Sequence, residues 1–375
     1  MGNWRLCPRR DILRILTLVI TLAALLALAC GGGGGAQPTS RPIALLATST
    51  PPPTVTSTDV PEATATPEPK VQRIAFHCGS LDGDICVVGT DGSGLINLTN
   101  TPRVSEFSYA WSPDGTRIAF SSSRDGKGEI YVMNADGSAP TNLTNSPDHE
   151  GFFAWSPDGE RIAFTRAHEF NSELYIMNAD GSDVTRVTNT PSSETSPGWS
   201  RDGSRITFVS SSPPFYLDIY TMNPDGSGRT RLTNQVATHW EGLPFAWSPD
   251  GSRIVVQGGP RRNTDIVVVN ADGSGLTSLT SGPAMDRNPS WSPDGSRIVF
   301  SSDNEIYVMD PDGSRRVRLA EGFLPAWEPN GTRIVFMSSR DGNGEVYVMN
   351  ADGSGQTRLT NSPEDEFAPA WQPQP

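Results

Sequence analysis

Seven tryptophans, Trp111, Trp155, Trp199, Trp247, Trp291, Trp327 and Trp371, recur at spacings of 44, 44, 48, 44, 36 and 44 residues. Other landmarks keep the same period. Arg-Ile pairs begin at Arg73, Arg117, Arg161, Arg205, Arg253, Arg297 and Arg333, and Asp-Gly-Ser turns stand at Asp91, Asp136, Asp180, Asp225, Asp272, Asp312 and Asp352. A chain that copies itself at this period stacks supersecondary units, because one copy cannot bury its own apolar face.

Each unit reads as four short strands. The first ends at the Trp, which four times begins Trp-Ser-Pro-Asp-Gly. There Pro presets φ and Gly takes the positive φ of a tight turn. Arg-Ile-Ala-Phe follows as an alternating strand. A loop of variable content leads to a third strand such as Glu129–Met133. Asn134–Ser138 makes the next turn, and Thr141–Thr144 is the outer strand. Four strands in about 44 residues describe a propeller blade, with the Trp as a flat wedge between neighbouring sheets. The first unit, from Lys70, lacks a Trp strand, and Phe367–Trp371 is a Trp strand with almost nothing after it. Pairing the two closes the ring and removes exposed edges. The expectation for residues 71–375 is therefore an all-β, seven-bladed β-propeller of four-stranded antiparallel blades. Six blades is the alternative should the short 291–327 unit be irregular.

The run Trp-Ser-Pro-Asp-Gly-x-Arg-Ile-x-Phe, then Ile-Tyr-Val-Met-Asn-x-Asp-Gly-Ser, then Leu-Thr, resembles the WD40-like repeat (PD40) of TolB-type propellers over residues 70–375. The resemblance implies the propeller fold. It also implies a periplasmic setting, since TolB itself joins its propeller to an N-terminal α/β domain and works with a peptidoglycan-associated lipoprotein. Here a linker stands where that domain would be. Similar repeats form the propellers of some serine peptidases, alongside an α/β-hydrolase domain for which this chain has no room.

The N-terminus looks like an export signal. Arg5, Arg9, Arg10 and Arg14 precede a 15-residue run of apolar residues and Thr, Ile15 to Ala29. That run is shorter than the roughly 20 residues of a membrane span. Ala27-Leu28-Ala29-Cys30 resembles a bacterial lipobox, so residues 1–29 are expected to be a lipoprotein signal peptide and Cys30 the lipidated residue. An uncleaved anchor is the alternative. Pro8–Arg14 also looks like a twin-arginine motif. Residues 30–70 then form a Gly/Pro/Thr-rich linker. It has no periodic apolar face to offset its ordering entropy, and as a coil it would span roughly 35 Å.

The whole chain carries 29 basic and 42 acidic side chains. Without residues 1–29 it keeps 25 basic and 41 acidic, a net charge of −16. Nothing in that balance offsets phosphate repulsion, which argues against a nucleic-acid partner. It also keeps the body off anionic headgroups, so membrane attachment is expected through the lipid alone.

The Ser-Pro-Asp-Gly and Asp-Gly-Ser turns share one end of the blades. The opposite end carries the variable loops, where recognition on a rigid scaffold usually sits. One acid precedes each Trp by five or six residues: Glu106, Glu150, Glu194, Glu241, Asp286, Glu321 and Glu366. Together they imply a ring of carboxylates at the channel mouth, suited to a cation or a basic peptide. The other reading is that each acid holds loop backbone or an arginine such as Arg124 or Arg340. Trp240, outside the repeat register, lies beside His239 and Glu241 in the longest connecting loop. Phe170, Phe215, Tyr216, Arg261 and Arg262 come from neighbouring extended loops. Aromatics with arginine suit protein or glycan recognition, or simply pack the loops.

Cys78 and Cys86 flank a hairpin and are read either as a disulfide, which an oxidising compartment permits, or as two buried thiols. No metal is expected there. No catalytic motif occurs: Gly-x-Ser-x-Gly, His-Glu-x-x-His and phosphate-binding glycine loops are all missing from the sequence. The Asp125–Glu129 and Asp341–Glu345 loops resemble calcium loops but fit hairpin turns better. Ca²⁺ on the acidic ring is the one cofactor the sequence leaves open. The expected function is a monomeric, lipid-anchored extracytoplasmic scaffold that binds an envelope protein or cell-wall component. The alternative is a glycan- or lactone-directed hydrolase or lyase using a divalent metal at the acidic mouth.

Overall fold

A computed structural model describes residues 71–374, except 80–82, 103, 169–170, 213–215, 235, 237–244 and 261–262. The expected signal peptide, Cys30 and the linker lie outside the described residues, as do Phe170, Phe215, His239, Trp240, Glu241, Arg261 and Arg262.

Among the described residues there are seven four-stranded antiparallel sheets and no helix. Blade 2 shows the plan: inner strand Glu106–Trp111, second strand Arg117–Ser122, third strand Glu129–Asn134, outer strand Thr141–Asn142. The other inner strands are His149–Trp155 in blade 3, Ser193–Trp199 in blade 4, Phe245–Trp247 in blade 5, Asp286–Trp291 in blade 6 and Phe323–Trp327 in blade 7. Blade 1 takes its inner strand, Phe367–Trp371, from the far end of the chain. That strand pairs with Arg73–Cys78, matching Ile74 with Trp371 and Ala75 with Ala370. The short unit is a full blade too. Its outer strand Val317–Glu321 runs through Gly322 into the next inner strand, so the six-bladed alternative is excluded.

Trp strands of neighbouring blades approach one another, which sets the Trp strands around the axis. Each Trp is a wedge. Trp111 of blade 2 packs with Ala75, Ile85 and Val87 of blade 1 as well as with Ile118 and Phe120 of its own sheet. Its indole N–H donates to the carbonyl before the Trp of the preceding blade, as Trp155 does to Ala110 and Trp371 to Ala326. At five boundaries the Arg-Ile arginine then stacks on the next blade's indole, as Arg117 does on Trp155 at 4.9 Å and Arg333 on Trp371 at 5.1 Å. Arg-Ile and Trp therefore recur together because they meet across blade boundaries.

The turns close locally. In blade 5 the Ser248 hydroxyl and the Ser252 N–H and hydroxyl donate to Asp250 and hold its carboxyl down to about 2. Glycine is required twice over at position 115. Its φ is +65°, and a Cβ there would collide with the Pro373 carbonyl of the closing segment.

The last strand is fastened by side chains as well as by its ladder. The Tyr109 hydroxyl contacts the Ala75 and Ala368 carbonyls, one on each partner of the seam. The Gln372 side chain donates to the Gly115 carbonyl, and Gln72 donates to that of Gln372. In the same blade Cys78 and Cys86 form a disulfide, with Cα atoms 5.8 Å apart.

Candidate functional site

Because the sheets are antiparallel, both tight turns of every blade fall at one end of the ring. The hairpins between second and third strands fall at the other end, with the crossings to the next blade. That second end is where the inner strands start, and there the acids lie. Glu106, Glu150, Glu194, Asp286 and Glu366 are all buried, none more than 4% exposed. They sit beneath the mouth rather than on it.

Four of them are charge-compensated. Arg124 lies 2.7 Å from Glu106, Arg166 2.6 Å from Glu150, Arg229 3.1 Å from Glu194 and Arg316 3.6 Å from Asp286. Each of these guanidinium groups also lies over an aromatic pair formed across the second and third strands. Arg166 covers Phe164 and Tyr175, and Arg316 covers Phe300 and Tyr307. Burying a carboxylate is costly unless a cation and hydrogen bonds accompany it. Burial still raises the pKa of Glu106, Glu150 and Glu194. Of the two readings of these acids, the described residues fit the second: Glu106, Glu150, Glu194 and Asp286 form buried, arginine-compensated pairs rather than a ring of free charge. Glu321 does not join them. It ends an outer strand, exposed, and its carbonyl accepts from Arg340 at 2.5 Å.

A second set of acids, missed in the sequence reading, heads the third strands: Asp84, Glu129, Glu173, Asp218, Asp265, Glu305 and Glu345. Most of these anchor the crossing to the next blade. Glu173 accepts from the Thr188 hydroxyl at 2.5 Å and the Thr190 N–H at 2.9 Å, while the Thr190 hydroxyl donates onward to Glu194 at 2.7 Å. The signal was present in the recurrent Asp/Glu-Ile pairs. The arginines were harder to find, because they reach one spatial position from three sequence positions: Arg124 and Arg340 from the hairpin, Arg166 from the second strand, Arg229 and Arg316 after the Asp-Gly-Ser turn.

The mouth itself is largely apolar on one side. Phe107 and Phe152, on the inner strands of blades 2 and 3, are 47% and 43% exposed. His149 lies against Phe107, with ring centroids 6.3 Å apart. Phe323, Leu324 and Phe367 are half-buried at the corresponding places in blades 7 and 1. Leu324, Ser196, Asn288 and Ala368 all have positive φ, at bulges that turn the inner strands near the mouth. Arg287 of blade 6 is half-buried there, with no carboxylate partner among the described residues. Tyr216 opens the strand Tyr216–Met222 and is half-buried opposite Ser212.

Among the described residues no three of His, Cys, Asp and Glu are arranged to hold a metal ion. The two glycine loops are hairpins. Asp125 accepts the Tyr131 hydroxyl and Asp341 that of Tyr347, while Glu129 and Glu345 accept from the crossings that follow. His77 is kept neutral by burial, which lowers its pKa, and His168 lies 3.6 Å from Asp148 on the surface.

Comparisons with known proteins agree with this architecture. The family described as PD40, the TolB beta propeller domain, matches residues 84–242 and 235–323. Among solved structures, TolB from Acinetobacter baumannii is 17% identical, covers 80% of this chain and 82% of its own, and superposes with a TM-score of 0.50. A putative TolB from Agrobacterium tumefaciens is 24% identical over 74% of this chain and 98% of its own, with a TM-score of 0.51. An oligogalacturonate lyase in complex with manganese is 16% identical over 77% and 85%, with a TM-score of 0.59. At these identities the structural likenesses speak for the fold alone. No curated protein matches the chain.

Proposed function

Because the chain belongs to the PD40 family of TolB beta-propeller domains, we propose that it is a binding scaffold, held outside the cytoplasm by a lipid on Cys30, whose variable face docks a protein of the cell envelope. The observation that carries this reading is the pair of exposed phenylalanines, Phe107 and Phe152, on the inner strands of neighbouring blades. Large aromatic side chains at a concave mouth on a rigid scaffold favour protein contacts, since they bury much area at little entropic cost. Trp240, His239, Glu241, Phe170, Phe215, Tyr216, Arg261 and Arg262 extend the same face in sequence. The basic, apolar N-terminal segment and the lipobox support export and anchoring. The lyase alternative needs free oxygen ligands, and the described acids give it none in a suitable group.

The test is co-purification from membranes. Wild-type protein should retain partners that the Phe107→Ser/Phe152→Ser variant loses, with Trp240→Ala showing a partial loss. An unchanged set of partners in both variants would overturn the docking face. Cys30→Ser should move the protein from the membrane to the soluble fraction, and its retention in the membrane would overturn the lipid anchor.

A further inference from the structure

At the seam that closes the ring, the charge compensation of blades 2, 3, 4 and 6 is missing. In those four blades the arginine beside the inner acid comes from one of three places: five residues beyond the Arg-Ile arginine, seven beyond it, or four beyond the Asp of Asp-Gly-Ser. In blade 1 those places hold Cys78, Ser80 and Leu95. Cys78 is spent in the disulfide with Cys86. Glu366 is nonetheless as buried as its counterparts, at 1% exposure, and like each of them it keeps one carboxylate oxygen without a hydrogen-bond partner.

Its surroundings are acidic. The Glu366 N–H donates to the Gly344 carbonyl at 2.9 Å, which sets Glu366 beside Glu345. Arg358 is the nearby cation, and it is committed to Glu345 at 2.5 Å and to Asp341 at 3.4 Å. Asp365 accepts the Gly344 N–H at 2.6 Å, and the Glu364 carboxylate lies over Gly79. His77, opposite Phe367 in the ladder, is held neutral by burial. Burial first, then the charge of Glu345, push Glu366 up to about 7, against the Thr360 hydroxyl, the Val346 backbone and the charge of Arg358, which pull it down.

We propose that the closing strand is a proton-operated clasp: a protonated Glu366 lets Phe367–Trp371 seat in blade 1, and its ionisation releases that strand and loosens the mouth beside it. A carboxyl raised in the folded state binds more protons folded than unfolded, so the closed seam is strongest in acid. It weakens as pH rises from about 4.5 and levels off above about 7. The shift corresponds to roughly a 300-fold change in the open fraction overall, of which roughly 30-fold falls between pH 5.5 and 8.5.

Hydrogen exchange on the full chain tests this. After correction for intrinsic exchange, protection of residues 367–371 should fall roughly 30-fold from pH 5.5 to 8.5. Residues 149–155, where Arg166 compensates Glu150, should respond less than 367–371. Glu366→Gln should flatten the response of 367–371. Protection independent of pH in the wild type, or a response that survives Glu366→Gln, would overturn the clasp. Should the variant not fold, infrared spectra of the wild type decide instead. A protonated-carboxyl band present at pH 6 and gone by pH 8 supports the clasp, and no such band at pH 6 overturns it.

Discussion

Blade 3 and blade 1 bury the same acid by different means. In blade 3, Glu150 lies under Arg166, which itself rests on Phe164 and Tyr175, so charge and packing are satisfied within one sheet. In blade 1, Phe76 faces Cys86 in the ladder, the aromatic pair and the arginine are gone, and a disulfide and a tyrosine from blade 2 hold the sheet together. A repeat copied in sequence can satisfy its buried charge from itself. The blade assembled from the two chain ends lacks that arginine; Tyr109 fastens its closing strand across the seam, and the disulfide ties the hairpin of its second and third strands.

Removing residues 366–375 should have the largest effect. It deletes the buried Trp371 and leaves Arg73–Cys78 as an open edge, so cooperative thermal melting should be lost. An unchanged melt would mean that the ring is not sealed there. Arg166→Met should come next, at about 3–5 kcal/mol in denaturant unfolding, because it strands Glu150 as an uncompensated buried charge. Adding Glu150→Gln should restore most of that loss. The contrast with the seam is one of sign, since Glu366→Gln should stabilise the protein at pH 8. Reducing the Cys78–Cys86 bridge should cost about 2 kcal/mol, given the short loop it closes. Tyr109→Phe should cost about 1 kcal/mol, read as a lower melting temperature and faster exchange at Ala75 and in the closing strand.

Much of the fold is legible in the chain because its determinants are local or strictly periodic. Turn chemistry at Ser248–Ser252 and strand alternation at Arg117–Ser122 need no distant partner. The Trp period implies wedges whatever fills the loops. The inner acids are visible too, but their state is not. Counting back from Trp puts Glu321 beside Glu366, whereas the single-residue crossing at Gly322 leaves Glu321 on the outer strand of blade 6. Phe107 and Phe152 carry no signal at all, since an alternating strand does not announce which of its side chains meets the channel.

The sequence by itself determined the repeat, the joining of the two ends and the face on which the loops vary, because each follows from spacing along one chain; that the short unit makes a full seventh blade was decided by the structure. Only the tertiary structure decided which carboxylates are neutralised, that arginines from three sequence positions occupy one place, and that Glu366 has none. Those outcomes depend on which groups share a low-dielectric volume, and that volume is enclosed by side chains that only folding brings together from different strands.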